Sequence, residues 1–542
     1  MTVSDRTALL QFRDGDEGAL DDDNNNNGLE DPVVSTASSP LLRPGYRKRT
    51  DPCRCGLRSW RRGVTTLKRS HTISIMAVVG LIIMSAAFVM PFVLRASQAP
   101  ACSAVRDGFI CHQPHSRLWG QYSPYFSLAS KSEISPDVPS GCTITFAQVL
   151  SRHGARYPTE DKSKTYSELI QRIKSNATSF SGNYAFLEDF EYSPGQEEMT
   201  AFGEAEMVES GIRFYERYRN LGLHENPFIR ASGSPRVIRS AELFIDGFYD
   251  AKKADNAATE DDGPPNVNVV ISEEPGSNNT LDHGRCDNFE LSDPYSDGIE
   301  KQFADTYMSA IRKRIAPNLP GTELKDEDIT YLMDLCPFQT VAISPDASIR
   351  SPFCDLFTDD DWMVYDYQKS LEKYYRYGAG HPLGPTQGVG FVNELIARLT
   401  STPVSDTTSV NHTLDSSTET FPLNRTLYAD FSHDNTMLSI FTALGLFNGS
   451  SPLPPTTIQT PEQMKGYSAS WSVPFAGRAY IEKMVCDDAP VASEEYVRIL
   501  LNERVVPLSG CPVDALGRCT LTDFVEGLSY ARNGGDWAAC FG

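Results

Sequence analysis

The chain has 542 residues, with 49 Lys and Arg against 71 Asp and Glu, a formal net charge of −22 and 40% apolar residues. That apolar content can fill a large core, so global disorder is excluded. The surplus of negative charge repels phosphate backbones and sets nucleic-acid binding aside.

Charge is spread unevenly. Residues 1–72 hold 12 basic and 10 acidic side chains, leaving 37 and 61 for the remainder. Asp21-Asp22-Asp23, the Asn24 to Asn27 run and scattered Ser, Pro and Gly predict a disordered tail over 1–72. Nine basic side chains between Arg47 and Arg69 are opposed only by Asp51, and 22 uncharged residues follow from Ile73 to Leu94. A run of that length can cross roughly 30 Å of hydrocarbon as a helix. With the basic flank on its N-terminal side, it predicts a signal anchor over 73–94, a cytosolic tail and a luminal or extracellular remainder. The expected protein is therefore a single-pass type II membrane protein, and a monomer is expected. Five N-x-Ser/Thr glycosylation sequons, at Asn176, Asn278, Asn411, Asn424 and Asn448, all lie after the run. So do ten of the twelve cysteines, which fits an oxidising compartment. A buried core helix is one alternative, but core helices seldom run so long without charge beside such a basic flank. Translation from Met76 is another: the segment would then be a signal peptide cleaved near Ala99, and the product would be secreted.

After an N-terminal arm over 95–141, strand and helix signals alternate. Thr143 to Leu150 is rich in β-formers and predicts a strand, followed by a Gly-containing loop and a helix from about Lys164 to Ser175. Phe228 to Ala231 predicts a strand before a helix from about Ser234 to Tyr249, and Asn266 to Ser272 alternates as a further strand. Residues 295–400 read as mainly helical, broken by Pro and Gly at 378–390. Thr426 to Phe431 predicts a strand, Asn435 to Leu446 a helix, and Glu495 to Pro507 two short strands turning at Asn502-Glu503. The pattern suits an α/β domain in two parts, 142–294 and 401–542, with a helical insertion over 295–400.

Chemistry enters after the first of these strands, at Arg152-His153-Gly154-Ala155-Arg156-Tyr157-Pro158. Chance would place R-H-G-x-R-x-P in a chain this long about once in ten thousand. Two arginines flanking a histidine offer forked donors to a phosphate, and Gly154 allows close backbone approach. The flanking cations disfavour the imidazolium, so His153 stays a nucleophile in acid, as a phosphohistidine intermediate requires. The bland reading, a core histidine beside surface arginines, would leave a costly buried charge cluster without an anion. A second constellation, Ala429-Asp430-Phe431-Ser432-His433-Asp434-Asn435, sits at another strand-to-helix join, the edge where open α/β sheets bind ligands. The residues alone leave Asp430 and Asp434 both open as a general acid. A third, Arg230-Ala231-Ser232-Gly233-Ser234-Pro235-Arg236, repeats that placement. Without the other two it reads equally as a surface arginine at a helix start.

Together with Ser351-Pro-Phe-Cys-Asp-Leu-Phe357, Gly384-Pro-Thr-Gln-Gly-Val-Gly390 and Cys511-Pro-Val-Asp-Ala-Leu-Gly-Arg-Cys519, these motifs resemble the fungal phytases of the histidine acid phosphatase family, from Cys102 to Gly542. The resemblance implies a mixed sheet flanked by helices, phosphoglycerate-mutase-like, with an inserted helical domain whose cleft holds the substrate. It implies an acid phosphatase acting on small-molecule phosphate monoesters, phytate (myo-inositol hexakisphosphate) foremost. His153 would be the nucleophile, Arg152, Arg156, Arg236 and His433 the phosphate ligands, and Asp434 the acid that protonates the leaving group. No metal or cofactor is implied, since arginines would neutralise the phosphoryl charge. The implied disulfides are Cys102–Cys111, Cys142–Cys486, Cys286–Cys540, Cys336–Cys354 and Cys511–Cys519.

Substrate choice is less clear-cut. Lys162 and Lys164 are the nearest cations for phosphates that are not reacting; Lys162 matches a lysine of the related phytases, and Lys164 reads equally as a solvated helix-start residue. Glu372 precedes Lys373 where similar phytases can present two adjacent lysines, which predicts weaker phytate binding. The competing expectations are a broad acid phosphatase with little phytate preference and a catalytically silent glycosylated membrane protein. The intact His153 and Asp434 argue against the latter.

Overall fold

A computed structural model describes residues 102–541, apart from 105, 194, 196, 259–262, 292, 293 and 492. The expected tail and the 73–94 anchor lie outside the described residues. Among those described, no helix is long and apolar enough to cross a membrane.

Strand β1 (Cys142–Arg152) leads into helices α1 (Glu160–Asn176) and α2 (Ala201–Arg217), then β2 (Phe228–Ser232), α3 (Pro235–Ala254) and β3 (Val269–Ile271). A helical stretch follows. It comprises α4 (Pro294–Phe303), a π-helical turn over Ala304–Met308, α5 (Ser309–Ile315), α6 (Asp326–Ile343), α7 (Asp359–Arg376) and α8 (Val389–Thr400). The chain then returns to the sheet through β4 (Leu427–Ser432), α9 (Asp434–Ala443), β5 (Arg478–Cys486), β6 (Glu495–Leu501), β7 (Arg504–Val505) and β8 (Cys519–Thr520).

The eight strands form one mixed sheet in the order β8-β6-β5-β1-β4-β2-β3, with β7 paired to β6. β1, β4, β2 and β3 run parallel, which requires the helical crossovers between them, and β5, β6 and β8 continue the sheet antiparallel. Both faces of β1 are apolar because both are covered. Ala147 and Val149 join the core built with α2 and α3, whereas Phe146 and Leu150 join the larger core shared with the 294–400 helices. The mixed sheet with flanking helices is the expected fold class.

Most expected elements are present, and the differences have local causes. α1 begins at Glu160 rather than near Lys164, because the Thr159 hydroxyl accepts the Lys162 N–H and Glu160 and Asp161 complement the helix dipole. β3 is only Val269–Ile271, narrower than 266–272; before it the Asn268 side chain takes the Ile229 N–H at 2.7 Å. The turn at Asn502-Glu503 is formed, both residues having left-handed φ of 48° and 65°, as a tight hairpin requires. α2 and β5 have no counterpart in the sequence reading. β5 is masked by its own charges: buried Glu482 accepts from Arg217 at 2.6 Å and Arg498 at 2.8 Å, so a central strand carries an ion cluster instead of an apolar run. All five implied disulfides are formed. Of the sequon asparagines, Asn176, Asn424 and Asn448 are exposed. Asn278 and Asn411 are half-buried, the former donating to Val410 O at 3.1 Å and the latter capping a short helix.

Candidate active site

Three loops leave the C-terminal ends of neighbouring parallel strands and meet. Arg152 ends β1 and its loop carries His153 and Arg156, Arg236 lies in the first turn of α3 just after β2, and His433 and Asp434 stand where β4 gives way to α9. The first loop presses on α2. A Cβ on Gly154 would lie 2.3 Å from Gly203 O, and one on Gly203 would lie 1.9 Å from Ala155 O, so both positions demand glycine. Gly154 therefore serves helix packing, a use its sequence context does not reveal. Beneath the loop, Glu206 of α2 accepts the backbone N–H of Ala155 at 3.0 Å and of Tyr125 at 2.8 Å. Burial pushes its carboxyl up to about 8, although both N–H groups oppose that rise.

His153 is 1% exposed. Its Nδ1 lies 2.9 Å from Gly154 O, and a carbonyl can only accept, so Nδ1 carries the proton and Nε2 holds the lone pair. Burial, followed by Arg152, Arg236, Arg156 and His433, holds its pKa well below 6.5. The arginines act in the expected direction, but burial is the larger cause.

The cations are fixed from behind. Arg152 Nη1 donates to Gln121 O and, at 2.8 Å, to Val473 O, while its guanidinium lies 4.7 Å from the Phe475 ring centre. Arg156 donates to Tyr157 O at 2.9 Å, and Arg236 lies 3.4 Å from Glu197. The His433 ring meets His153 edge-on at 5.9 Å, and its Nε2 lies 3.0 Å from Glu273. Asp434 sits between Arg152 at 3.4 Å and Lys373 at 3.0 Å. A buried histidine thus lies among fixed cations, with Asp434 held between two of them.

The description "Histidine phosphatase superfamily (branch 2)" matches residues 143–502, which include all three loops. The chain belongs to the histidine phosphatase superfamily. Within it, the chain is 57% identical to Phytase A of Aspergillus awamori over 439 residues, covering 81% of this chain and 93% of that protein. It is 55% identical to Phytase A of Emericella nidulans over 450 residues, 82% of this chain and 96% of that one. Among solved structures, the phytase from D. castellii has the same fold, with a TM-score of 0.62 at 23% identity over 82% of this chain and 90% of that one.

The geometry separates the two aspartates that the sequence left open. Asp430 is buried under the site and accepts from Arg230 Nε at 2.8 Å, Arg398 at 2.7 Å and Gln148 at 2.9 Å. Burial works against its charge, yet Arg230 and Arg398 hold its pKa below the ordinary value. Of the two aspartates, Asp434 is the one that meets the site cations, at Arg152 and Lys373.

The specificity candidates divide. Lys164 is exposed on α1. Lys162 is half-buried, its Nζ 2.7 Å from the Tyr122 hydroxyl. Lys373 is fully buried and bonded to Asp434 and Asn435, so it belongs to the carboxylate's surroundings rather than to a lysine-rich rim. Glu372 is buried 3.6 Å from Lys369, one helical turn back, and Lys369 also lies 3.4 Å from Asp334 and 5.4 Å from the Tyr122 ring centre. Lys369, Glu206 and Glu273 were not picked out in the sequence. For Lys369 the signal was available, since 369, 372 and 373 share one face of α7. For the two glutamates there was none, because each acts across the fold.

Proposed function

We propose that this enzyme is an acid phosphatase that hydrolyses phosphate monoesters, phytate foremost, through a phosphohistidine at His153. One observation carries the reading: a buried histidine, kept neutral and turned so that Nε2 holds the lone pair, sits within a ring of arginines. Arg152, Arg156, Arg236 and His433 bind the phosphoryl oxygens. His153 Nε2 attacks phosphorus while Asp434 gives its proton to the ester oxygen, releasing the alcohol. Asp434 then takes a proton from water, whose oxygen attacks phosphorus, and inorganic phosphate leaves with His153 restored. Lys373 fixes the Asp434 carboxylate for both proton transfers. The relatives named Phytase A support phytate as substrate. Lys162 and Lys369 at Tyr122 are the cations offered to phosphates that are not reacting, and Lys369 compensates Glu372. Lys164 would help only from the exposed face of α1.

Phosphate release from phytate and from a simple aryl phosphate, between about pH 3 and 7 and with or without EDTA, tests the reading. Phytate turnover with an acid optimum is expected. An optimum above neutrality, or no turnover of either ester, overturns it.

Five disulfides support an oxidising compartment for the catalytic part. Its tethering through 73–94 rests on the uncharged run and the basic flank before it. A mature N-terminus near Pro100 would establish secretion instead.

A further inference from the structure

We propose that Glu273 is a positioning residue of the phosphate site: its carboxylate holds His433 as the imidazolium that donates to the phosphoryl group, and ties it to the turn that carries Arg236. This rests on the phosphatase reading. β3 runs parallel to β2 with Ile271 opposite Ser232, which delivers Glu273 beside the β2–α3 turn. A Cβ on Gly233 would lie 3.1 Å from Glu273 N, so the two segments are in contact. One oxygen, Glu273 Oε1, lies 3.0 Å from His433 Nε2 and accepts the Ser234 N–H at 2.9 Å. Ser234 caps α3, two residues before Arg236.

With Nε2 donating to Glu273, the state of the other ring nitrogen decides what His433 can do. In the neutral ring Nδ1 is a lone pair, which repels a phosphoryl oxygen; in the imidazolium it is a donor. His433 is fully buried; its ring meets that of His153, on which Arg152, Arg236 and Arg156 also act, and Asp434, the next residue, lies between Arg152 and Lys373. A buried imidazolium needs a counter-charge, and the Glu273 carboxylate 3.0 Å from Nε2 offers one. A half-buried glutamate at the edge of an anion site is otherwise unfavourable. Its contact with His433 gives it a role.

Glu273→Gln keeps the shape and an acceptor for the Ser234 N–H but removes the charge, whereas Glu273→Asp keeps the charge on a shorter arm. Inorganic phosphate is the probe, bound to each full-length variant and followed by titration calorimetry, beside KM and kcat for an aryl phosphate and the Tm. Glu273→Gln should weaken phosphate binding and raise KM by about tenfold, the loss expected for a charge-assisted hydrogen bond, with a smaller change in kcat and a parental Tm. Glu273→Asp should recover most of that loss. Parental phosphate affinity in Glu273→Gln overturns the inference, as does an equal loss in both variants that follows a lowered Tm, which would mean a purely structural anchor. If the parent protein itself hydrolyses no phosphate ester, it is the phosphatase reading that fails.

Discussion

Two buried groups of arginines and carboxylates lie within a few residues of each other on the same strands and do opposite things. Around Asp430, Arg230 and Arg398 are matched by Asp430 and Glu394, with Gln148 and Thr280 adding hydrogen bonds. Positive and negative charges balance, and the ion pairs lock β2, β4 and α8 together. One turn of chain further on, Arg152, Arg156, Arg236 and Lys373 outnumber Asp434, and the other nearby acids, Glu197 and Glu273, are 50% and 26% exposed at the edge. That surplus of cations calls for an anion. Residue type does not separate structure from catalysis here; charge balance and position at the strand end do.

The strongest way to break the comparison is at the nucleophile. His153→Ala should abolish turnover, since no other group can accept the phosphoryl. Asp434→Asn should lose about 10² to 10⁴-fold on esters with poor leaving groups yet still become phosphorylated by good ones. Near-normal activity in His153→Ala would overturn the mechanism.

The balanced cluster should answer through stability. Asp430→Asn leaves two buried arginines short of a partner, an expected loss of about 3–5 kcal/mol, while kcat per folded molecule stays near parental. Chemical denaturation with active-site titration checks this, and a selective loss of kcat would assign Asp430 to the chemistry after all.

The pH profile sharpens the contrast next. Because the folded pKa of His153 lies well below 6.5, the nucleophile stays neutral as pH falls below 6.5, and activity should decline, by about tenfold per unit, only below its depressed pKa. An acid limb centred near 6.5 would contradict the buried, cation-ringed setting.

A smaller effect belongs to Glu206. Its folded pKa, about 8, exceeds the ordinary 4.5, so the folded state binds the extra proton. Its stabilisation is full below pH 4.5 and is lost as pH rises towards 8. Glu206→Gln should flatten the fall in Tm across that window; an unchanged slope would mean that the carboxyl ionises without cost.

The smallest expected change is at the cleft. Glu372→Gln, which removes one counter-charge from Lys369, should lower KM for phytate by about fivefold, or roughly 1 kcal/mol, and leave an aryl phosphate unaffected. Equal effects on both substrates would remove Glu372 from the specificity surface.

Much of this molecule was legible in its sequence. R-H-G-x-R-x-P carries its chemistry in adjacent residues, so Arg152, His153 and Arg156 needed no partner to be recognised. The strand-to-helix joins at Arg236 and His433 were readable because apolar runs ending in Gly, Ser or Pro mark where a parallel sheet opens. The disulfide pairs followed from resemblance, since ten cysteines admit too many pairings for spacing to choose. Tertiary structure alone decided what depends on distance between remote segments. It assigned Asp430 to an ion cluster and Asp434 to the site, drew Lys373 in beside Asp434, and set Glu206 and Glu273 behind the loops they hold. It also turned Gly154 towards Gly203 and hid β5 as a charged central strand. Local sequence fixes hydrogen-bonding capacity and periodicity, which act over a few residues. The balance of buried charges is a property of the assembled sheet, because only there do groups hundreds of residues apart share one low-dielectric space.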